Sequence, residues 1–130
     1  MNLTVNTWRG SSVLESDENN APTAADVEAA IARLDGHACS EVSLGQDEPF
    51  AYFTVGGGPE LYLVTGETAD EDILQLTSPD AGDETVPLVC GGQLADFARH
   101  DLVDRDAATQ VLLRFLETGD HDTSLPWDIQ

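Results

Sequence analysis

Apolar positions change their period along the chain, and each change marks an element. Leu3 and Val5 alternate with Thr4 and Asn6 in a stretch from Leu3 to Trp8, the two-residue period of a strand, and Gly10 is placed to end it. Ser11 to Pro22 is polar, with Asp17, Glu18, Asn19 and Asn20, and is expected to be a loop. At Thr23 the period lengthens: Val27, Ala30, Ile31 and Leu34 recur at helical spacing and form one apolar stripe. Thr23 can cap the free N–H groups of that helix, and Asp26 three residues later completes the form of a capping box. Gly36 stands where a left-handed terminator is expected.

From Glu41 to Cys90 the pattern turns to β. Val42 and Leu44 alternate with polar neighbours, and Phe50 to Val55 is rich in aromatic and β-branched residues. Gly56-Gly57-Gly58-Pro59 breaks that run before Glu60 to Thr65 resumes it, which is a hairpin signal. Ile73 to Leu76 and Val86 to Val89 add two short apolar segments, the second followed by Gly91-Gly92. A second helix is predicted from about Arg105 to Thr118, capped by Asp104 and ended by Gly119. Its broad apolar face is made by Ala108, Val111, Leu112, Phe115 and Leu116. The expected fold is α+β: an antiparallel sheet of about four to six strands with two main helices packed on it. With no internal repeat and no linker, residues 1–130 are expected to be a single domain.

Charge changes the picture more than composition does. The 25 Asp and Glu face 5 Lys and Arg, all of them Arg, for a net charge of −20. No Lys or Arg lies between Arg33 and Arg99, so the middle of the chain has one sign. Such a field repels phosphate backbones and anionic lipid, which argues against direct nucleic-acid or membrane partners, and it attracts basic protein surfaces. A solvated acidic surface in a high-salt, halophilic-type host gives the same excess without any partner. The segment Met1 to Arg9 has no apolar run of signal-peptide length, and no window approaches membrane-spanning length. A cytoplasmic chain is therefore expected.

Motifs that carry chemistry are scarce. His37, His100 and His121 form no HxxxH or HxH pair; Asp120-His121-Asp122 and His100-Asp101 are the nearest to a base or metal constellation, and both read better as polar turns. Cys39 and Cys90 lack a second cysteine nearby, which excludes a CxxC centre or zinc knuckle and leaves a disulfide between them open. The surrounding acidity disfavours a thiolate nucleophile at Cys39. Gly56-Gly57-Gly58 is followed by Pro59 and a strand rather than by the Lys and helix of a phosphate loop. Asp70-Glu71-Asp72 lacks the spaced ligands and Gly of a calcium loop. No catalytic residue, cofactor or metal is expected, and the chain is not expected to be an enzyme.

The C-terminal third carries a resemblance. Arg114-Phe115-Leu116-Glu117-Thr118-Gly119, a short polar stretch and then Leu125-Pro126-Trp127 resemble the ending of an immunity-protein family of bacterial polymorphic toxin systems. The order of elements is similar too: a first strand, a helix from about residue 23, a Gly-punctuated meander, Gly91 or Gly92 before the last helix, then Thr-Gly and Trp. The resemblance implies a protein encoded beside a toxin gene, often that of a deaminase or nuclease, which blocks the toxin by binding it in the cytoplasm. Gly119 and Trp127 carry the motif, and a structural role is expected for both: Gly119 ending the helix, Trp127 covering the helix–sheet seam. The expected partner is a cognate toxin with a basic surface, met by a chain that is a monomer alone and a heterodimer with the toxin. The candidate contact residues are Asp70, Glu71, Asp72, Asp80, Asp83 and Glu84, where charge is concentrated around one short strand. A small acidic chaperone or adaptor for a secreted effector would share this layout. An enzyme built on His100 or His121 would instead need a pocket where His and carboxylate converge.

Overall fold

The computed structural model describes residues 1–9 and 12–130. Gly10, placed by the sequence at the end of the first strand, and Ser11 lie outside the described residues.

Both predicted helices form, for the predicted local reasons. α1 (Ala24–Ala32) opens on a complete capping box: Thr23 Oγ1 accepts from the Asp26 N–H (3.2 Å) and Asp26 Oδ2 accepts from the Thr23 N–H (2.9 Å). Each bond satisfies a donor that the first helical turn leaves free. Val27, Ala30, Ile31 and the following Leu34 are buried. The helix ends earlier than Gly36 would have it, at a right-handed Arg33. Gly36 is left-handed (φ 70°) but belongs to the next loop. There Asp35 Oδ1 accepts from the N–H groups of His37 (2.8 Å) and Cys39 (3.0 Å), a side-chain turn that takes over the termination. α2 (Arg105–Thr118) is capped by Asp104 Oδ1, which accepts from the Ala107 N–H (2.9 Å), and ends at a left-handed Gly119 (φ 76°).

Seven strands make one antiparallel sheet: β1 (Asn2–Arg9), β2 (Ser12–Asn19), β3 (Cys39–Asp47), β4 (Phe50–Gly57), β5 (Tyr62–Glu67), β6 (Ile73–Leu76) and β9 (Trp127–Ile129). Their order is β2-β1-β3-β4-β5-β6-β9. Alternation sorts each strand by face. Leu3, Val5, Val42, Leu44, Phe53, Val55, Val64, Leu74 and Leu76 point inward, and with the apolar stripes of α1 and α2 they form the core. Both helices therefore lie on one face of the sheet.

Three sequence expectations are corrected. Ser12–Asn19, read as part of a polar loop, is strand β2, paired with β1 from Leu3↔Asn19 to Arg9↔Ser12. As an edge strand it needs no apolar stripe of its own. Toward the helices it offers Asp17, which pairs with Arg33 on the α1 side (3.1 Å), and its Glu15, Ser16 and Glu18 are exposed. A charged edge resists pairing with another chain, so its polarity marks an edge rather than a loop. The strand count is also higher than four to six, because β2 and the three-residue β9 join the sheet; β9 pairs with β6 through Leu76↔Trp127. Finally, β7 (Thr85–Cys90), expected within the meander, leaves it. It pairs with β8 (Gln93–Ala98), which periodicity did not reveal, as a separate two-stranded sheet. Gly91 and Gly92 both have positive φ (58° and 76°), as a two-residue hairpin turn requires.

That hairpin packs on the face away from the helices. Gly91 donates to Ser40 O (3.3 Å) and Gly92 to Ser40 Oγ (2.9 Å), and Cys90 lies so close over Gly56 that a Cβ there would crowd it. It covers the end of the outer face at which β3 begins and β4 finishes. The opposite end, where β3 runs into β4 and β5 into β6, is left uncovered by any described element.

Candidate functional site

The C-terminal motif is assembled around aromatic rings. Phe115 from α2 meets Phe53 from β4 edge-to-face (5.1 Å, 73°), and Trp127 from β9 lies against Phe53 on another side (5.5 Å, 46°). Trp127 thus bridges the end of the helical layer and the sheet, half-buried, and its Nε1 donates to Asp122 O (2.8 Å). Gly119 makes the turn out of α2 possible, and its carbonyl accepts from Gln46 Nε2 (3.4 Å).

Asp120-His121-Asp122 is used up within this turn. Asp120 Oδ1 accepts from the backbone N–H of His121 (2.8 Å) and lies 2.9 Å from His121 Nδ1; those hydrogen bonds hold its carboxyl below the ordinary range. The His121 ring stands edge-on to Trp127 (5.8 Å, 88°). Asp122 turns to other partners: it is buried, and accepts from Ser124 Oγ (2.6 Å), the Ser124 N–H (3.0 Å) and Gln110 Nε2 (2.9 Å). The Ser124 hydroxyl first, then Gln110, the Ser124 N–H and the Arg114 charge, bring its pKa down to about 2. The two carboxylates serve different local bonds. His100 Nε2 stands 3.5 Å from Asp101 Oδ1 within a short 3-10 turn (Arg99–Asp101). Among the described residues no three His, Cys, Asp or Glu side chains are grouped to hold a metal.

The cysteines are free thiols. Burial raises the pKa of Cys39, and burial followed by the Glu41 charge pushes Cys90 up to about 12. Both are protonated at neutral pH, the inert state of a structural cysteine.

All six candidate contact acids are exposed, but they do not form one cluster. Asp70, Glu71 and Asp72 sit on the β5–β6 turn. The turn is closed by Thr68 N–H to Asp72 O (2.9 Å), Glu71 N–H to Thr68 O (3.0 Å) and Asp72 N–H to Thr68 Oγ1 (3.2 Å). Glu71 is held left-handed (φ 68°), a conformation unusual for a side-chain-bearing residue. Asp80, Asp83 and Glu84 lie beyond the other end of β6, which at about 3.3 Å per residue separates the groups by well over 10 Å. Their loop is pinned to the 3-10 turn: Ser78 N–H donates to His100 O (2.7 Å), His100 N–H to Gly82 O (3.0 Å) and Arg99 N–H to Glu84 O (2.9 Å). Asp80 lines a groove together with Arg99 and Asp104.

Sequence periodicity passed over the residues beside that turn. On the uncovered outer face, Phe50 and Tyr52 of β4 lie ring to ring (5.7 Å), and Ile73 of β6 is in the same row as Tyr52 through Tyr52↔Glu67 and Glu67↔Ile73. Phe50 is 58% exposed and Ile73 51%. The available signal was the alternation of β4 itself: Ala51, Phe53 and Val55 take the core, so Phe50 and Tyr52 must point outward.

The family model for Immunity protein Imm1 matches residues 15–128. The chain belongs to the Imm1 family of immunity proteins. No curated protein matches it. In this immunity protein the matched span begins within β2 and runs to β9, so it takes in both helices, Gly119 and Trp127, and the uncovered end of the sheet. No helix of the described residues is long and apolar enough to cross a membrane.

Proposed function

We propose that this immunity protein neutralises a cognate toxin whose target is a nucleic acid, a deaminase or nuclease domain, by covering the basic surface with which that toxin grips its substrate. The observation that carries this is the unbroken acidic stretch between Arg33 and Arg99, whose carboxylates at 70–72, 80, 83 and 84 are all exposed. An enzyme acting on phosphate backbones needs a positive cleft, and a negative body is its electrostatic complement. The mode of action is binding: both thiols are protonated, and His121 and His100 stand beside the carboxylates of their own turns. The chain works in the cytoplasm of the toxin's producer, as a monomer that becomes a heterodimer with the toxin.

Co-expression with the C-terminal domain of the toxin encoded beside this gene tests the proposal. The wild-type chain is expected to restore growth, and His100→Ala and His121→Ala to protect equally well. Reversal of Asp70, Glu71, Asp72, Asp80, Asp83 and Glu84 together to Lys is expected to abolish protection without unfolding the chain, since exposed charges contribute little to stability. A histidine variant that binds the toxin but no longer protects contradicts occlusion.

A further inference from the structure

We infer that the toxin docks on the uncovered end of the outer sheet face, with Phe50, Tyr52 and Ile73 as the apolar centre and the acids around them as a one-signed rim. This rests on the immunity function proposed above and names the surface that performs it. The helices occupy one face of the sheet and the β7–β8 hairpin packs on the other where β3 begins and β4 ends, so the end with the β3–β4 and β5–β6 turns stands clear of both. Adjacent strands place Gly45, Tyr52, Glu67 and Ile73 in one row, and Asp47 opposite Phe50. Gly45 adds no side chain to that row, which leaves Tyr52 open on the β3 side. The two rings support one another and stand on strands, so little side-chain entropy remains to be lost on contact.

The rim decides the occupant. Asp47, Glu48, Asp70, Glu71 and Asp72 sit on the strand ends and turns around the rings, Glu67 stands in the row itself between Tyr52 and Ile73, and no Arg or Lys exists in this part of the chain. An aromatic centre inside a polar rim is the anatomy of a protein interface. A rim of one sign selects a basic partner surface and rejects nucleic acid, acidic proteins and a second copy of this chain, which would bring the same charges against its own. The fitting partner surface presents an apolar side chain ringed by Lys and Arg. Asp80, Asp83 and Glu84, at the far end of β6, lie outside the contact.

The test compares full-length variants for binding to the C-terminal domain of the neighbouring toxin. Phe50→Ala with Ile73→Ala is expected to weaken binding by roughly tenfold or more, as loss of central apolar contacts does, while Asp80→Lys with Asp83→Lys and Glu84→Lys changes it by less than about threefold. Hydrogen exchange on the wild-type complex is expected to protect amides of 45–54 and 65–73, which decides the matter even if the double variant folds poorly. Unchanged binding by a folded Phe50→Ala, Ile73→Ala chain, or protection confined to 77–84, overturns the docking face and leaves the immunity function standing. A free wild-type dimer that the double variant dissolves also overturns it, with a second copy as occupant. Failure of the wild-type chain to bind the toxin domain overturns the function and the docking face together.

Discussion

Asp122 shows how much of this protein's C-terminal half depends on single polar contacts. Its carboxylate receives bonds from Ser124 and Gln110, and its carbonyl anchors Trp127, which in turn lies on Phe53. Its pKa near 2 in the fold, against an ordinary 3.8, fixes the sign of its linkage to stability. The ionised form is favoured by folding, so its contribution is complete above the unfolded value and is lost as pH falls from about 4 to about 2. Asp122→Asn is expected to unfold at lower denaturant than wild type at neutral pH, with the difference shrinking across that acid window; a gap that stays constant to pH 2 would assign the effect to another group. Gly119 and Trp127 were legible in the sequence because a helix stop and a terminal aromatic are local signals. The role of Asp122 was not, because Gln110 reaches it from a different element, and a run of Asp-His-Asp looks the same whether it binds a metal or locks a turn.

At the scale of elements, what the sequence displayed was whatever packs against the core. α1, α2 and β3 to β6 carry apolar periods because one face of each is buried, and they lie where those periods put them. β2, β8 and β9 were hidden because edge and surface strands are held by backbone pairing, which leaves no side-chain period to read. β2 also turns its charge to use. Glu15 and Glu18 stand exposed on an edge with free backbone donors and acceptors. Replacing both with Val is expected to leave the monomer folded but to promote concentration-dependent association, followed by light scattering. A variant that remains monomeric at high concentration would show that these charges do not guard the edge. The exposed face of β4 was legible in principle, since Phe50 and Tyr52 alternate with core residues. The acids concentrate in the loops, whereas the neighbouring strands supply the apolar surface that loops lack.

The whole molecule couples a rigid sheet to a field of one sign. With a net charge of −20, the protein attracts a basic partner before contact, and in salt of about 0.1 M that attraction reaches roughly 10 Å. Composition announced this property, but not that β6 separates the acids of the β5–β6 turn from Asp80, Asp83 and Glu84. The division follows from the antiparallel path, which sends consecutive turns to opposite ends of the sheet. Field and face have separate kinetic signatures: rim charges govern the rate of encounter, buried apolar contacts the rate of escape. The most direct test is stopped-flow or surface-plasmon measurement of association with the proposed cognate toxin domain as salt is raised. The on-rate is expected to fall roughly tenfold or more between about 0.02 and 0.5 M salt while the off-rate changes little. An on-rate independent of salt would contradict an acidic protein that recognises a basic toxin surface.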